Sequence, residues 1–193
     1  EDMQKCIDAY SAQSGTSLSY IKITFSRLYA LALERDICYK DYSKFVKLPK
    51  KKKNEIHPFS AEEVKKIKAA AQANVPYADI ILILIYTGFR ISELLALTPD
   101  DYIADQALLI GGLKTEAGEN RHVPVLPVIK PYIEALVAKQ GKKIVCRDDG
   151  EGYSSSYMRK KYYDCLEEIG VKRLSPHCCR KTCATMMVES GVS

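Results

Sequence analysis

No unbroken apolar stretch in this 193-residue chain is longer than Ile80 to Tyr86, far short of the roughly 20 residues needed to cross a bilayer. A membrane span is therefore not expected. No basic, then apolar, then small-residue leader opens the sequence, so nothing marks it for secretion. An initiator Met is also missing, and a start at Glu1 is expected of a piece of something longer. Seven cysteines (Cys6, Cys38, Cys146, Cys165, Cys178, Cys179, Cys183) make an odd and unevenly spread set. That argues against a disulfide framework and for free thiols in a reducing compartment. Histidine is scarce too, at three residues. His177 with Cys178, Cys179 and Cys183 invites a metal reading, but at ~100° per residue of helix Cys179 and Cys183 fall on the side opposite His177. No metal site is expected; buried thiols acting as small apolar groups are the better account. No internal repeat is evident, and no low-complexity segment beyond one lysine run.

With 47% apolar and 27% charged residues, the chain has the composition of a soluble globular protein, which excludes disorder and collagen. Its 29 Lys and Arg against 24 Asp and Glu leave a modest net charge of +5. Position matters more than the total. Lys47 and Lys50 to Lys53 cluster, Arg159, Lys160 and Lys161 form a second run, and Lys172, Arg173, Arg180 and Lys181 a third. Any one run reads as a solvated face; three together favour a polyanionic partner.

Leu18, Ile21, Phe25, Leu28 and Ala32 recur at the three-and-four spacing of an amphipathic helix, a stripe that fades near Glu34 to Asp36, and residues 1–48 as a whole are expected to be helical. Residues 49–58, with four consecutive lysines and Pro58, read as a basic connector. Ser60 and Glu63 make a capping box at the start of a second domain, residues 59–193. The run Ile80 to Ile85 fits either a buried strand or a helix buried on all sides. Tyr102 to Val125 reads as short antiparallel strands. Helical patterns resume over Val128–Ala138 and Ser155–Ile169, and Ser175-Pro176 opens a final helix. The predicted fold is mainly α with a small antiparallel β-sheet, an α+β class.

Four pieces stand out in order: Thr87-Gly88-Phe89-Arg90-Ile91-Ser92-Glu93, Leu113-Lys114-Thr115, Arg121-His122-Val123-Pro124, and His177-Cys178-Cys179-Arg180. Together they resemble the tyrosine recombinases of the phage integrase family, whose catalytic domain carries T-G-x-R-x-x-E, a hairpin lysine and H-x-x-R. The likeness runs from about His57 to Ser193 and is nearest in style to integrases of conjugative transposons and other mobile elements. It implies that residues 1–48 are the last helices of a core-binding domain and that Lys50, Lys51, Lys52 and Lys53 lie in a linker crossing DNA.

Cutting a phosphodiester with a protein nucleophile gathers negative charge on phosphate oxygens, which forked, permanently charged guanidinium groups stabilise. The resemblance makes Arg90 and Arg180 these clamps, His177 a phosphate contact or proton shuttle, and Lys114 the general acid for the departing 5′ oxygen. Glu93 would be a supporting residue that orients its neighbours; the bland alternative is a surface Arg90–Glu93 ion pair of little weight. His57 and His122 match no element and are expected to be non-catalytic. Lys181 stands where the family commonly has His and is expected to add a phosphate contact.

The family continues past H-x-x-R with a helix bearing His or Trp and then the nucleophilic Tyr. None of the 13 tyrosines follows Arg180, the last being Tyr163, so no nucleophile is expected in this chain. The fragment alone is expected to be inactive. The resemblance further implies double-stranded DNA at recombination sites, a homo-tetramer on that DNA, accessory DNA-bending or directionality factors, no cofactor, and a cytoplasmic, nucleoid-associated bacterial setting. Two other readings stay open: a non-cleaving DNA-binding protein that occupies recombination sites, and a type IB topoisomerase. All three require phosphate contacts, so log affinity for duplex DNA should fall with log salt at about 0.9 per contact. A flat response in a titration series would exclude them together.

Overall fold

The computed structural model describes residues 2–49, 57–112 and 120–191. The chain divides into two units, Glu1–Glu55 and Ile56–Ser193. Lys50 to Lys53 and Lys114 lie outside the described residues.

In the first unit, α1 (Asp2–Ala9) and α2 (Gly15–Glu34) pack around a small core of Ile7, Leu18 and Val46. The Gln4 side chain brackets Lys47, accepting its N–H at 2.9 Å and donating to its carbonyl at 3.1 Å. Helix does not continue to residue 48 as expected. Asp36 turns left-handed at φ 54°, and Ile37 N–H donates back to Ala32 O while Asp36 N–H donates to Leu33 O. This double return is a Schellman stop, which satisfies the last carbonyls and ends α2. Only a single-turn helix at Ser43–Phe45 follows. The predicted stripe is also less buried than its spacing implies, since Leu28 is 58% exposed.

The second unit is built around α4 (Ala78–Thr87), whose residues Ile80 to Ile85 are all buried. These six form a helix rather than a strand because α3 (Ala61–Gln72), α6 (Lys130–Val137), α7 (Ser155–Glu168) and α8 (Pro176–Glu189) all pack against it. A helix enclosed on every side needs no polar face and reads as a continuous apolar run. α3 starts at the predicted capping box: Ser60 Oγ accepts the Glu63 N–H, and Glu63 Oε2 accepts the Ser60 N–H.

Strands β1 (Tyr102–Ile103), β2 (Leu108–Gly111) and β3 (Arg121–Pro124) form one antiparallel sheet in that order. The register pairs Leu109 with Val123, both buried, and Gly111 with Arg121. The strand pleat then sends His122 outward, where it is exposed, and keeps Arg121 on the Val123 side. Among the described residues no helix is long and apolar enough to cross a membrane.

Gly88 ends α4 in the left-handed region at φ 62°, and its N–H donates to Leu84 O. A Cβ there would stand 3.1 Å from Cys183 Sγ on α8. The turn therefore needs glycine for its backbone and for the approach of α8. Gly88→Ala should destabilise the unit by about 1–2 kcal/mol from the left-handed backbone alone, read as a lower denaturant midpoint; an unchanged midpoint would show that the turn relaxes freely.

Candidate phosphate-binding site

After the Gly88 turn, Phe89 folds back into the core, fully buried, and Arg90 faces outward with its side chain 53% exposed. α5 (Ile91–Ala96) begins at once, bringing Glu93 beneath Arg90. Glu93 Oε2 accepts the Arg90 backbone N–H at 2.8 Å, and Oε1 accepts Arg90 Nη1 at 2.5 Å. The Glu93 side chain is only 4% exposed, so this is no surface ion pair. Two further guanidinium groups share the carboxylate: Arg180 Nη1 at 3.7 Å and Arg121 Nη2 at 3.9 Å, both from Oε2.

Arg180 arrives from α8. Its Nη1 also donates to Gly88 O at 3.1 Å, a carbonyl at the α4 C-terminus that the helix itself leaves without a partner. Arg121 arrives from β3 and lies over the Phe89 ring, 4.8 Å from its centroid. Its Nε and Nη2 are buried with no hydrogen-bond partner; the ring face and the Glu93 charge are what hold it. Sequence reasoning gave Arg121 no role. Its signal is the Arg121-His122-Val123-Pro124 strand itself, in which Arg121 shares the inward face of buried Val123.

Burial alone would raise the Glu93 pKa, but the Arg90 N–H and guanidinium, reinforced by Arg121, outweigh it and hold the carboxyl below its ordinary 4.5. Burial and the Arg180 charge in turn lower the Arg121 pKa, with Glu93 opposing them. Three cations around one anion leave a formal excess of two positive charges. That excess borders a cleft of about 220 Å³ whose polar lining includes Arg90, Ser92, Arg159, Ser175, His177 and Arg180.

Thus the fold brings Arg90, Glu93, His177 and Arg180 together from two segments, the start of α5 and the first turns of α8, and β3 adds Arg121 as a third. His177 is exposed in the first turn of α8. Lys181, also exposed on α8, is not among the residues lining this cleft, nor are His57 and His122. The cysteines serve packing. All seven are free thiols, and Cys178, Cys179 and Cys183 are buried. Burial pushes Cys179 up to about 12 despite the Tyr162 hydrogen bond, so it carries no thiolate near neutral pH. Among the described residues no group of three or more His, Cys, Asp or Glu is placed to hold a metal ion.

Residues 57–193 match the phage integrase family. The chain belongs to that family. It is similar to the tyrosine recombinase XerA of Thermococcus onnurineus, 29% identical over 167 residues that cover 80% of this chain and 56% of XerA. The chain thus spans little more than half the length of that relative. Among solved structures it resembles the Tn1549 transposon integrase in complex with circular intermediate DNA, with TM-score 0.78, 18% identity, and coverage of 100% of this chain and 73% of that one. It also resembles a lambda integrase tetramer bound to a Holliday junction, with TM-score 0.78, 16% identity, and coverage of 96% and 58%. At these identities the two structures establish the shared fold of a phage integrase catalytic domain.

Because the folded-state pKa of Glu93 lies below 4.5, its charged form contributes stability above that pH, and the contribution is lost as pH falls through the lower folded value. Thermal midpoints of the integrase chain should therefore drop on acidification below about pH 4.5. Glu93→Gln should flatten that dependence. At neutral pH it should cost about 1–3 kcal/mol, since it leaves the buried Arg121 nitrogens without their anion. Parallel acid profiles for the two proteins would refute the assignment.

Proposed function

We propose that this integrase chain is the greater part of a site-specific DNA recombinase that cuts and rejoins DNA through a 3′-phosphotyrosyl intermediate, with the nucleophilic Tyr outside the chain. The observation that carries this reading is the sharing of buried Glu93 by Arg90, Arg121 and Arg180 beside the cleft. A phosphodiester carries one negative charge in the ground state and about two in the five-coordinate transition state formed by attack of a phenolate. A site with an excess of two positive charges matches the second better than the first, which is the condition for catalysis rather than mere binding.

In this mechanism the Arg90 and Arg180 forks hold the non-bridging oxygens, and Glu93 fixes the forks in place before substrate arrives. His177 contacts the phosphate or relays a proton. Lys114 protonates the 5′ oxygen as the bond to phosphorus breaks, and the phosphate remains on the tyrosine, conserving the bond energy for rejoining. Guanidinium groups meet the developing charge, so the reading calls for no metal or nucleotide. The likeness to integrases bound to circular intermediate DNA and to a Holliday junction supports duplex DNA as partner and a tetramer as the working assembly. Lys50 to Lys53 and Lys181 would add backbone contacts that set affinity and register without reading sequence.

The gene product extended through the reading frame beyond Ser193 should form a covalent adduct on a nicked suicide duplex. Arg90→Ala or Arg180→Ala should lower the rate at least about 100-fold. Adduct formation unaffected by either change would overturn the assignment; tight binding with no adduct would indicate a non-cleaving DNA-binding protein, and supercoil relaxation without site preference a type IB topoisomerase.

A further inference from the structure

Besides Arg90 and Arg180, the cleft is lined by a third guanidinium group that the charge balance above does not use. Arg159 lines it from α7, a different element from those that carry Arg90, Arg121 and Arg180. The other three are engaged by Glu93, and Arg180 also by the Gly88 carbonyl. Among the described residues, no hydrogen bond or ion pair holds Arg159, and it is exposed.

Its position is nevertheless well determined, because α7 is anchored on both flanks. Met158, Tyr162, Cys165 and Leu166 are buried, and the Tyr162 hydroxyl meets Cys179 Sγ of α8 at 3.5 Å. On another side Tyr157 stacks on Tyr153 at 5.2 Å and shares a hydrogen bond with the Tyr77 hydroxyl at 3.2 Å. Arg159, three residues before Tyr162, lies on the edge of the buried face. That edge turns it toward the N-terminus of α8 and the cleft. Lys160, one residue further round the helix, is exposed and is not part of the cleft lining.

Three guanidinium groups and one carboxylate already supply the two positive charges that a five-coordinate phosphorus needs. A further cation on the same cleft is surplus for the scissile phosphate. It has an obvious acceptor once a DNA strand is present, since each strand carries a charge every ~3.4 Å of helix axis. We propose that Arg159 is a further DNA-binding residue, which clamps the phosphate flanking the one held by Arg90, His177 and Arg180 and so sets the register of the strand in the cleft. The inference rests on the recombinase reading and adds to it a second, separately neutralised phosphate. An interaction made equally in ground and transition states strengthens binding without changing the chemical step.

The test uses the same extended gene product and a duplex carrying its recombination site. Arg159→Ala should weaken binding about 5- to 20-fold near 0.15 M salt and lower the log–log salt slope by about 0.9. Single-turnover adduct formation at saturating DNA should stay within about threefold of wild type, as expected for uniform binding. Arg159→Lys should keep most of the slope, and Lys160→Ala serves as the neighbouring control. A neutral methylphosphonate at the flanking phosphate should cost wild type the same factor and cost Arg159→Ala nothing more.

Unchanged affinity and slope in a folded Arg159→Ala protein would overturn the proposal. So would normal affinity with a rate more than tenfold lower, which would put Arg159 on the scissile phosphate. If wild type binds DNA but forms no adduct while the slope change persists, the cleavage reading fails and the Arg159 contact stands. If wild type binds no duplex, both fall.

Discussion

A single buried carboxylate organises the larger unit of this chain, Ile56–Ser193. Glu93 lies almost wholly out of water, where an ionised group is tolerated only if it is paired and hydrogen-bonded. Its partners come from its own helix start, from β3 and from α8, so satisfying one charge draws three segments to one point. The converse holds as strongly. Three arginines so close would repel one another without an anion among them, and Glu93 relieves only part of that repulsion. What remains is a rigid, under-neutralised site poised for an anion, in which the protein rather than the substrate has met the cost of assembling like charges.

The carboxylate can do this only because α4 and its terminal turn set the distances. α4 is enclosed by four helices, so its C-terminal end cannot drift. The left-handed Gly88 reverses the chain there, buries Phe89 as a platform for Arg121, and presents a carbonyl to Arg180. Small thiols along α8 let that helix approach closely: Cys183 packs directly over Gly88. A cysteine-rich helix that looks chemically reactive in sequence is thus a packing device in the fold.

Local features were the most legible in the sequence. The Ser60–Glu63 capping box, the three-strand segment and the helix boundaries around α6 and α7 follow from side chains acting within a few residues of themselves; α8 also starts at Ser175-Pro176, with the proline in its first turn and no side-chain cap from Ser175. The motif set led to Arg90, Glu93, His177 and Arg180 because their spacing and order are carried by the chain itself. Less was legible where an outcome depends on neighbours distant in sequence. Ile80 to Ile85 could not be assigned, because its secondary structure is decided by enclosure among α3, α6, α7 and α8 and not by its own period. The apolar stripe fades near Glu34 to Asp36, where α2 ends, but that a non-helical stretch follows is less legible, because a left-handed aspartate at Asp36 is a rarer stop than glycine and leaves a weaker mark.

The sequence by itself determined which chemical groups are available and which elements present them: guanidinium groups at helix starts, a carboxylate one turn on, a short sheet, a central apolar helix. Only the tertiary structure decided how many of those groups meet. Arg121 joins the site although its motif carried no such instruction, and Arg159 borders it from a run that reads as ordinary solvated charge. The reason is physical. Coulomb attraction and cleft shape depend on distances between segments, such as the 92 residues separating Gly88 from Arg180, and those distances exist only after the apolar core around α4 has closed.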